Sequence, residues 1–402
     1  MDPRRLALRQ LELDRERTRR FPQLLERKLA RMSASPLAFL RGAAPLFYEI
    51  LAAEPELAAG PAGSGWIQGD AHLENFGAYS PAVHEGDHWK KGHASFHLND
   101  FDEATRGAWR WDVLRLATSL LLAGRELGQS GPVVVELCEK LIDSHAAASG
   151  MEIPLPPAPP SVTRLVQRVD ARSGKKLLED RTRSDSDGRH FVRGDRYWDA
   201  PGDVARAVPE ALALFAKRSA ATGGPKLEQL EILDVAFRVA GTGSLGALRV
   251  AALVRGKGSE DGAWLFDLKE QAGCSVDVLA PRSGGESRAA EVETAFRACV
   301  EAPPRMMGTS VLAGHEVLVR RLTPQEDKLS LNQLEAGELR SLAAHLGALL
   351  GSAHRRGRSG SFEPWTQPER SQLLERAIRL AGMHEAIYLE LCLLTKSRPL
   401  MG

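Results

Sequence analysis

Apolar residues recur at helical spacing over several long stretches of this chain. Residues 4–32, rich in Arg, Leu and Glu and holding the single Pro22, read as helix. A second helix is predicted over 39–51 behind the Ser35-Pro36 start signal, kinked or broken at Pro45. Residues 60–65 form a glycine-rich loop, after which Trp66-Ile67 runs straight into a dense polar motif. Residues 108–148 carry an apolar stripe through Leu114, Leu116, Leu120 and Leu121 and are predicted helical, as are 203–222, 286–300, 335–356 and 368–394. Between these helices the period drops to two. Residues 232–240, 247–254 and 264–269 alternate in strand fashion between glycine turns, and a strand pair at 309–322 turns at Gly314. The segment 149–160 holds Pro154, Pro156, Pro157, Pro159 and Pro160 and reads as a spacer. The expected organisation is a first helical region at 1–150, a linker and helical insertion at 151–230, a strand-rich lobe at 231–325 and a second helical region at 326–402. The fold class is α+β.

Composition narrows what such a chain binds. With 402 residues, 43% of them hydrophobic, it can fill more than one core. Lys plus Arg number 53 against 52 Asp plus Glu, so the formal charge is +1 and no nucleic-acid partner is expected. Cys138, Cys274, Cys299 and Cys392 form no close pair, which points away from a disulfide framework or a cysteine zinc site. The charged N-terminus lacks the apolar core of a secretory signal, and the longest apolar run, 116–124, is too short to span a bilayer. A cytoplasmic protein without membrane contact is expected.

Two polar constellations carry the candidate chemistry: Gly69-Asp70-Ala71-His72-Leu73-Glu74-Asn75 and Leu98-Asn99-Asp100-Phe101-Asp102-Glu103. Phosphoryl transfer needs a carboxylate to orient and deprotonate a hydroxyl, and oxygen ligands to hold magnesium against phosphates. An Asp with an Asn five positions later supplies both from one loop, and a second Asp at a strand end completes the metal set. Asp70, Asn75 and Asp100 fit these roles, with His72 and Asp102 in support. A third constellation, Gly241-Thr242-Gly243-Ser244-Leu245-Gly246, lies between two strand-like runs, where glycines let backbone amides approach phosphates.

The first two motifs resemble the catalytic loop and metal-binding motif of protein kinases and, more closely, of aminoglycoside and choline phosphotransferases. The resemblance implies Asp70 as catalytic base, Asn75 and Asp100 as magnesium ligands, and ATP as the bound nucleotide. Trp111-Asp112-Val113-Leu114 is similar to a later segment in which the Asp braces the catalytic loop, which makes Asp112 a structural support. Gly241, Thr242, Gly243, Ser244 and Gly246 stand for the phosphate-covering loop. Lys269 stands for the third-strand lysine, with Glu291 or Glu293 as its helix partner. The order is reversed, however: the glycine loop and lysine follow the catalytic loop. The segment 346–354, Leu-Gly-Ala-Leu-Leu-Gly-Ser-Ala-His, resembles the helix that precedes the catalytic loop in small-molecule kinases. The implied fold is therefore a kinase-like two-lobe fold in circularly permuted order. Helix 338–356 is expected beside the loop at 66–75, with Lys269 paired to Glu291 or Glu293. Nearly the whole chain also resembles an uncharacterised bacterial family, domain of unknown function 2252, through 35–42, 69–77, 99–103, 109–116 and 239–246.

The expected reaction is ATP- and magnesium-dependent phosphoryl transfer to a hydroxyl of an unknown, small-molecule acceptor. Alternatives are a nucleotide-binding pseudokinase, a kinase-like protein that transfers AMP, and a metal-dependent phosphoesterase, for which the usual Gly-Asn-His element is missing. His72, His84, His88, His93 and His97 match no common zinc spacing. Arg41 is read as a structural ion-pair partner.

Overall fold

In the computed structural model, the described residues are 1–396 except 80, 86, 87, 92, 187, 259–261, 283, 284, 305, 324 and 325; for 82–85, 88–91, 222, 326, 332 and 336 only the backbone is described. The predicted N-terminal helix is two. α1 (Pro3–Thr18) is capped by Asp2, and α2 (Leu24–Met32) follows the break at Phe21-Pro22. Ser35 caps α3 (Pro36–Gly42) by accepting the Ala38 amide at 3.1 Å. Pro45 does not kink a helix. It sits in the first turn of α4 (Ala44–Ala53), where its missing N–H leaves nothing unsatisfied. A short turn, α5 (Pro55–Ala58), leads to β1 (Ser64–Ile67).

Residues 76–108 hold more strand than the sequence pattern predicts. They contain β2 (Phe76–Tyr79), β3 (Ala82–Glu85), β4 (His88–Lys91), β5 (Ser95–Leu98) and β6 (Thr105–Ala108). β1 pairs with β6, β3 with β4, and β2 with β5, all antiparallel. The predicted helix 108–148 divides at Gly128 into α6 (Trp109–Glu126) and α7 (Gly131–Gly150). Then come α8 (Pro160–Asp170), α9 (Gly174–Arg181), the hairpin β7 (Thr182–Asp185) and β8 (Gly188–Phe191), β9 (Tyr197–Asp199) and α10 (Gly202–Ser219).

The strand lobe comprises β10 (Ile232–Arg238), β11 (Arg249–Val254), β12 (Trp264–Glu270), α11 (Arg288–Cys299), β13 (Met307–Leu312) and β14 (His315–Leu322). Its antiparallel sheet runs β13-β14-β12-β11-β10-β9. β9 pairs with β10, and Phe215 of α10 packs on Phe266 in the core above the sheet. The segment 197–219 is thus part of this lobe and not of a linker. β15 (Glu326–Lys328) leaves the sheet and pairs with β2, tying the two regions together. α12 (Leu339–Arg356) and α13 (Gln367–Lys396) complete the helical core with α1, α6 and α7. No described helix is long and apolar enough to cross a membrane.

The chain's two ends meet. The Arg4 guanidinium lies 3.7 Å from the Glu390 carboxylate, so α13 runs along α1. The end of α12 meets β1, where the Trp66 amide donates to the Gly357 carbonyl at 2.8 Å. Helix 339–356 therefore packs beside the loop that carries Asp70.

Candidate active site

Gly69 turns the chain with φ +74°, and a Cβ there would stand 2.0 Å from the Glu103 carbonyl oxygen. Only glycine lets the two acidic motifs approach this closely. Behind the turn, both Asp112 oxygens are engaged: the Gln68 and Gly69 amides donate to them at 2.6 and 2.9 Å. His354 of α12 lies 3.1 Å from Asp112 and 2.9 Å from His145, all three fully enclosed. Asp112 and the terminal His354 of the 346–354 motif thus hold the loop that carries Asp70 from below.

Arg115, one turn past Asp112 on α6, was not singled out from the sequence. It is fully buried, donates through Nε to Asp70 Oδ1 at 2.6 Å and through Nη2 to the Leu40 carbonyl, and lies over the Phe47 ring at 4.9 Å. Burial pushes the Asp70 carboxyl up to about 7; Arg115 opposes that rise, and the negative charges of Glu103 and Asp100 add to it. His72 Nε2 stands 3.7 Å from Asp70, and its Nδ1 accepts the Glu74 amide at 3.2 Å. Burial, then Arg41 and Arg115, keep His72 neutral. Arg41 pairs with Glu74 at 2.6 Å.

The Asn75 amide donates to the Asp70 carbonyl at 2.7 Å, which leaves its Oδ1 facing outward. The Lys328 ammonium of β15 lies 3.5 Å from that Oδ1 and 3.8 Å from Asp100 Oδ2. A cationic group thus already sits where Asn75 and Asp100 direct their oxygens, and these oxygens suit a hard cation that keeps most of its water. Burial raises the Asp100 pKa, but Lys269, Lys328, Arg249 and Arg320 outweigh it and hold the carboxyl well below the usual range. Among the described residues no group of three or more His, Cys, Asp or Glu is arranged around a metal position. Of the five histidines considered for zinc, the His84 and His88 side chains lie outside the described residues.

Lys269 does not meet Glu291 or Glu293. Its ammonium contacts Asp102. Burial lowers its pKa to about 8 against the opposing pull of Asp100. Glu291 instead pairs with Arg288 at 2.8 Å and accepts from Thr105 at 3.1 Å, while Glu293 pairs with Arg297. The physical reason is Arg288, which is buried and reaches across to the Asp102 carbonyl at 2.6 Å. Glu291 balances that guanidinium, so α11 grips the metal-motif loop through Arg288 and leaves Lys269 to Asp102. Gln271 also donates to Asp102, at 3.1 Å.

The glycine loop is fastened to the N-terminal helices. Lys28 donates to the Gly243 carbonyl at 3.2 Å, and Arg31 donates to that of Gly241. Gly246, at φ +99°, lies so close to α1 that a Cβ would stand 2.3 Å from the Arg17 carbonyl oxygen. Asp70, Asn75, Asp100, Lys269 and the loop residues Gly241 to Ser244 all face one cavity of about 350 Å³. An adjoining chamber of about 310 Å³ shares Asp100, Asp102, Lys269 and Lys328 with it and extends beneath the sheet to Arg238, Arg249, Asp267 and Arg320.

Neither the curated proteins nor the solved structures contain a match to this chain. Its residues 20–388 match the model of DUF2252, described as an uncharacterized protein conserved in bacteria, and this match spans every motif of the cavity. The chain therefore belongs to the DUF2252 family.

Proposed function

We propose that this protein is an ATP- and magnesium-dependent phosphotransferase with a kinase-like, circularly permuted fold, acting on a hydroxyl of a small-molecule acceptor. The observation that carries the reading is the convergence of Asp70, Asn75, Asp100, Lys269 and the glycine loop on one cavity, although they lie up to about two hundred residues apart in sequence. The packing of α12 beside the Asp70 loop is what a permuted order requires. Asp70, with a carboxyl near neutrality, is suited to accept the acceptor's proton. Lys269 and the loop amides would hold phosphate oxygens. Asn75 and Asp100 would hold magnesium, which would supply positive charge to offset that of the phosphates.

ATP is expected to bind tightly only with magnesium present. Calorimetry with and without the metal checks this, and equal affinities would remove Asn75 and Asp100 from the metal role. The acceptor is sought by following ATP turnover against pooled hydroxyl-bearing metabolites. One observation favours a second reading, nucleotide binding without transfer: Lys269 pairs with Asp102 instead of a helix acid. Absence of turnover across the whole pool, with magnesium-dependent ATP binding intact, would select it.

A further inference from the structure

The inner chamber has walls ill-suited to a nucleobase. Arg249 donates to Asp267 from Nε and Nη2, at 2.9 and 2.5 Å, and Arg238 approaches the same carboxylate at 2.8 Å. One carboxylate is thus shared by two guanidiniums, and the Arg238 Nε is buried without a partner. Arg320 stands directly opposite Asp267 on the neighbouring strand and lines the same chamber. The acids on the other side are already engaged: Asp102 by Lys269, Asp100 beside Lys328, and Asp327 by Arg172 at 2.5 Å. Among the described carboxylates only Asp267 faces the Arg238 and Arg249 guanidiniums, so this pair holds positive charge that one carboxylate does not balance.

Seating a neutral ring here would strip water from these charges and return no hydrogen bonds to them. Phosphate oxygens would do the opposite, accepting charge-assisted, bidentate bonds from the guanidinium forks. The outer cavity is different. Leu13, Ala44, Pro45, Ala272 and Cys274 give it apolar wall next to the glycine loop. Asp70 lines only this outer cavity, while Asp100 and Lys269 stand at the passage between the two.

We infer that the inner chamber is a polyphosphate subsite, which takes the terminal phosphates of ATP while the nucleoside stays in the outer cavity. This rests on the ATP binding proposed above and changes the group transferred, from phosphoryl to AMP: the phosphorus presented to Asp70 is then the α-phosphorus. The acceptor hydroxyl oxygen bonds to that phosphorus, and the bond from it to the α,β-bridging oxygen breaks. Pyrophosphate leaves, the hydroxyl proton passes to the Asp70 carboxylate, and the acceptor carries AMP.

The test is calorimetry on the full chain with magnesium tripolyphosphate and with magnesium ATP. Tripolyphosphate should bind wild type, and Arg320→Gln and Arg238→Lys should each weaken it about tenfold or more, with circular-dichroism spectra unchanged. Arg238→Lys keeps the charge beside Asp267 and loses only the fork, so it guards against a variant that does not fold. Wild type that binds ATP but not tripolyphosphate, or variants that bind tripolyphosphate like wild type, would overturn the subsite and leave the ATP reading standing. Arginine-dependent tripolyphosphate binding without ATP binding would keep the subsite and sink the ATP reading; binding of neither sinks both. Once an acceptor is found, label from α-³²P ATP supports AMP transfer, and label from γ-³²P ATP overturns it.

Discussion

Asp70 is held between opposing influences. Burial, with the charges of Glu103 and Asp100, raises its pKa to about 7, and the Arg115 guanidinium keeps it from rising further. Since the base form is the ionised one, turnover is expected to fall as pH drops through about 7. Glu103→Gln removes one of the charges that raise Asp70, so the acid limb of the pH–rate profile should move to lower pH; an unmoved limb would show that Asp70 does not set it. Asp70→Ala should retain ATP binding and lose about a hundredfold to ten-thousandfold in turnover. The sign for stability is the reverse of an ordinary acid: a raised folded pKa favours the fold below the unfolded value, and that gain is lost as pH rises through about 7. Asp70 itself was legible from its five-residue spacing to Asn75. Arg115 left a fainter trace, a lone arginine between Leu114 and Leu116 in an apolar stripe, which is where a buried charge with a dedicated partner is found. Lys328 left none, because its place depends on β15 pairing with β2 from far along the chain.

Among the elements, the glycine loop joins strand lobe to N-terminal helices through the Lys28 and Arg31 side chains and through close backbone approach at Gly246. Gly246→Ala would place a methyl against the Arg17 carbonyl at a φ that side chains rarely adopt, a strain of roughly 1–3 kcal/mol. The loop is expected to lift from α1, with ATP affinity falling about tenfold and the melting temperature lowered. An unchanged affinity would show that the loop does not touch the nucleotide. Long helices and the strands β10 to β14 of the main sheet were readable from period alone, while β9 was not. β2, β5 and β6 were not, since each is four residues long and interrupted by glycine or polar positions; they are strands because partners at a distance supply their hydrogen bonds. The misplaced ion pair of Lys269 has a similar cause. Spacing put Glu291 on the correct helix but was blind to Arg288, which claims it.

At the scale of the whole molecule, segments from opposite ends of the chain form one support. Asp112 of α6 takes the two loop amides and faces His354 of α12. Asp112→Asn puts an amide donor against groups that themselves donate, and should destabilise the protein by about 1–3 kcal/mol. Turnover should fall further than ATP affinity, because the displaced loop carries Asp70 while the glycine loop is untouched. Equal losses in both would argue that the brace serves only the fold. The order of motifs suggested this juxtaposition, since the 346–354 segment lacks a sequel in its own direction and finds one at residue 66. The charged chamber beneath the sheet was not foreseeable, because Arg238, Arg249, Asp267 and Arg320 come from four strands whose register no local pattern reveals.

The contact between Arg4 and Glu390 sets α1 and α13 side by side at the surface. A gene rewritten to join α13 to α1 with a flexible linker, and to open between Gly224 and Pro225, would encode the glycine loop, Lys269, α12 and Asp70 in the order that the proposed kinase-like reading calls for. Such a protein is expected to melt within about 4 °C of the natural one, the equivalent of roughly 3 kcal/mol for a chain of this length. A failure to fold would mean that the order of synthesis, and not just the final contacts, directs how the two lobes find each other.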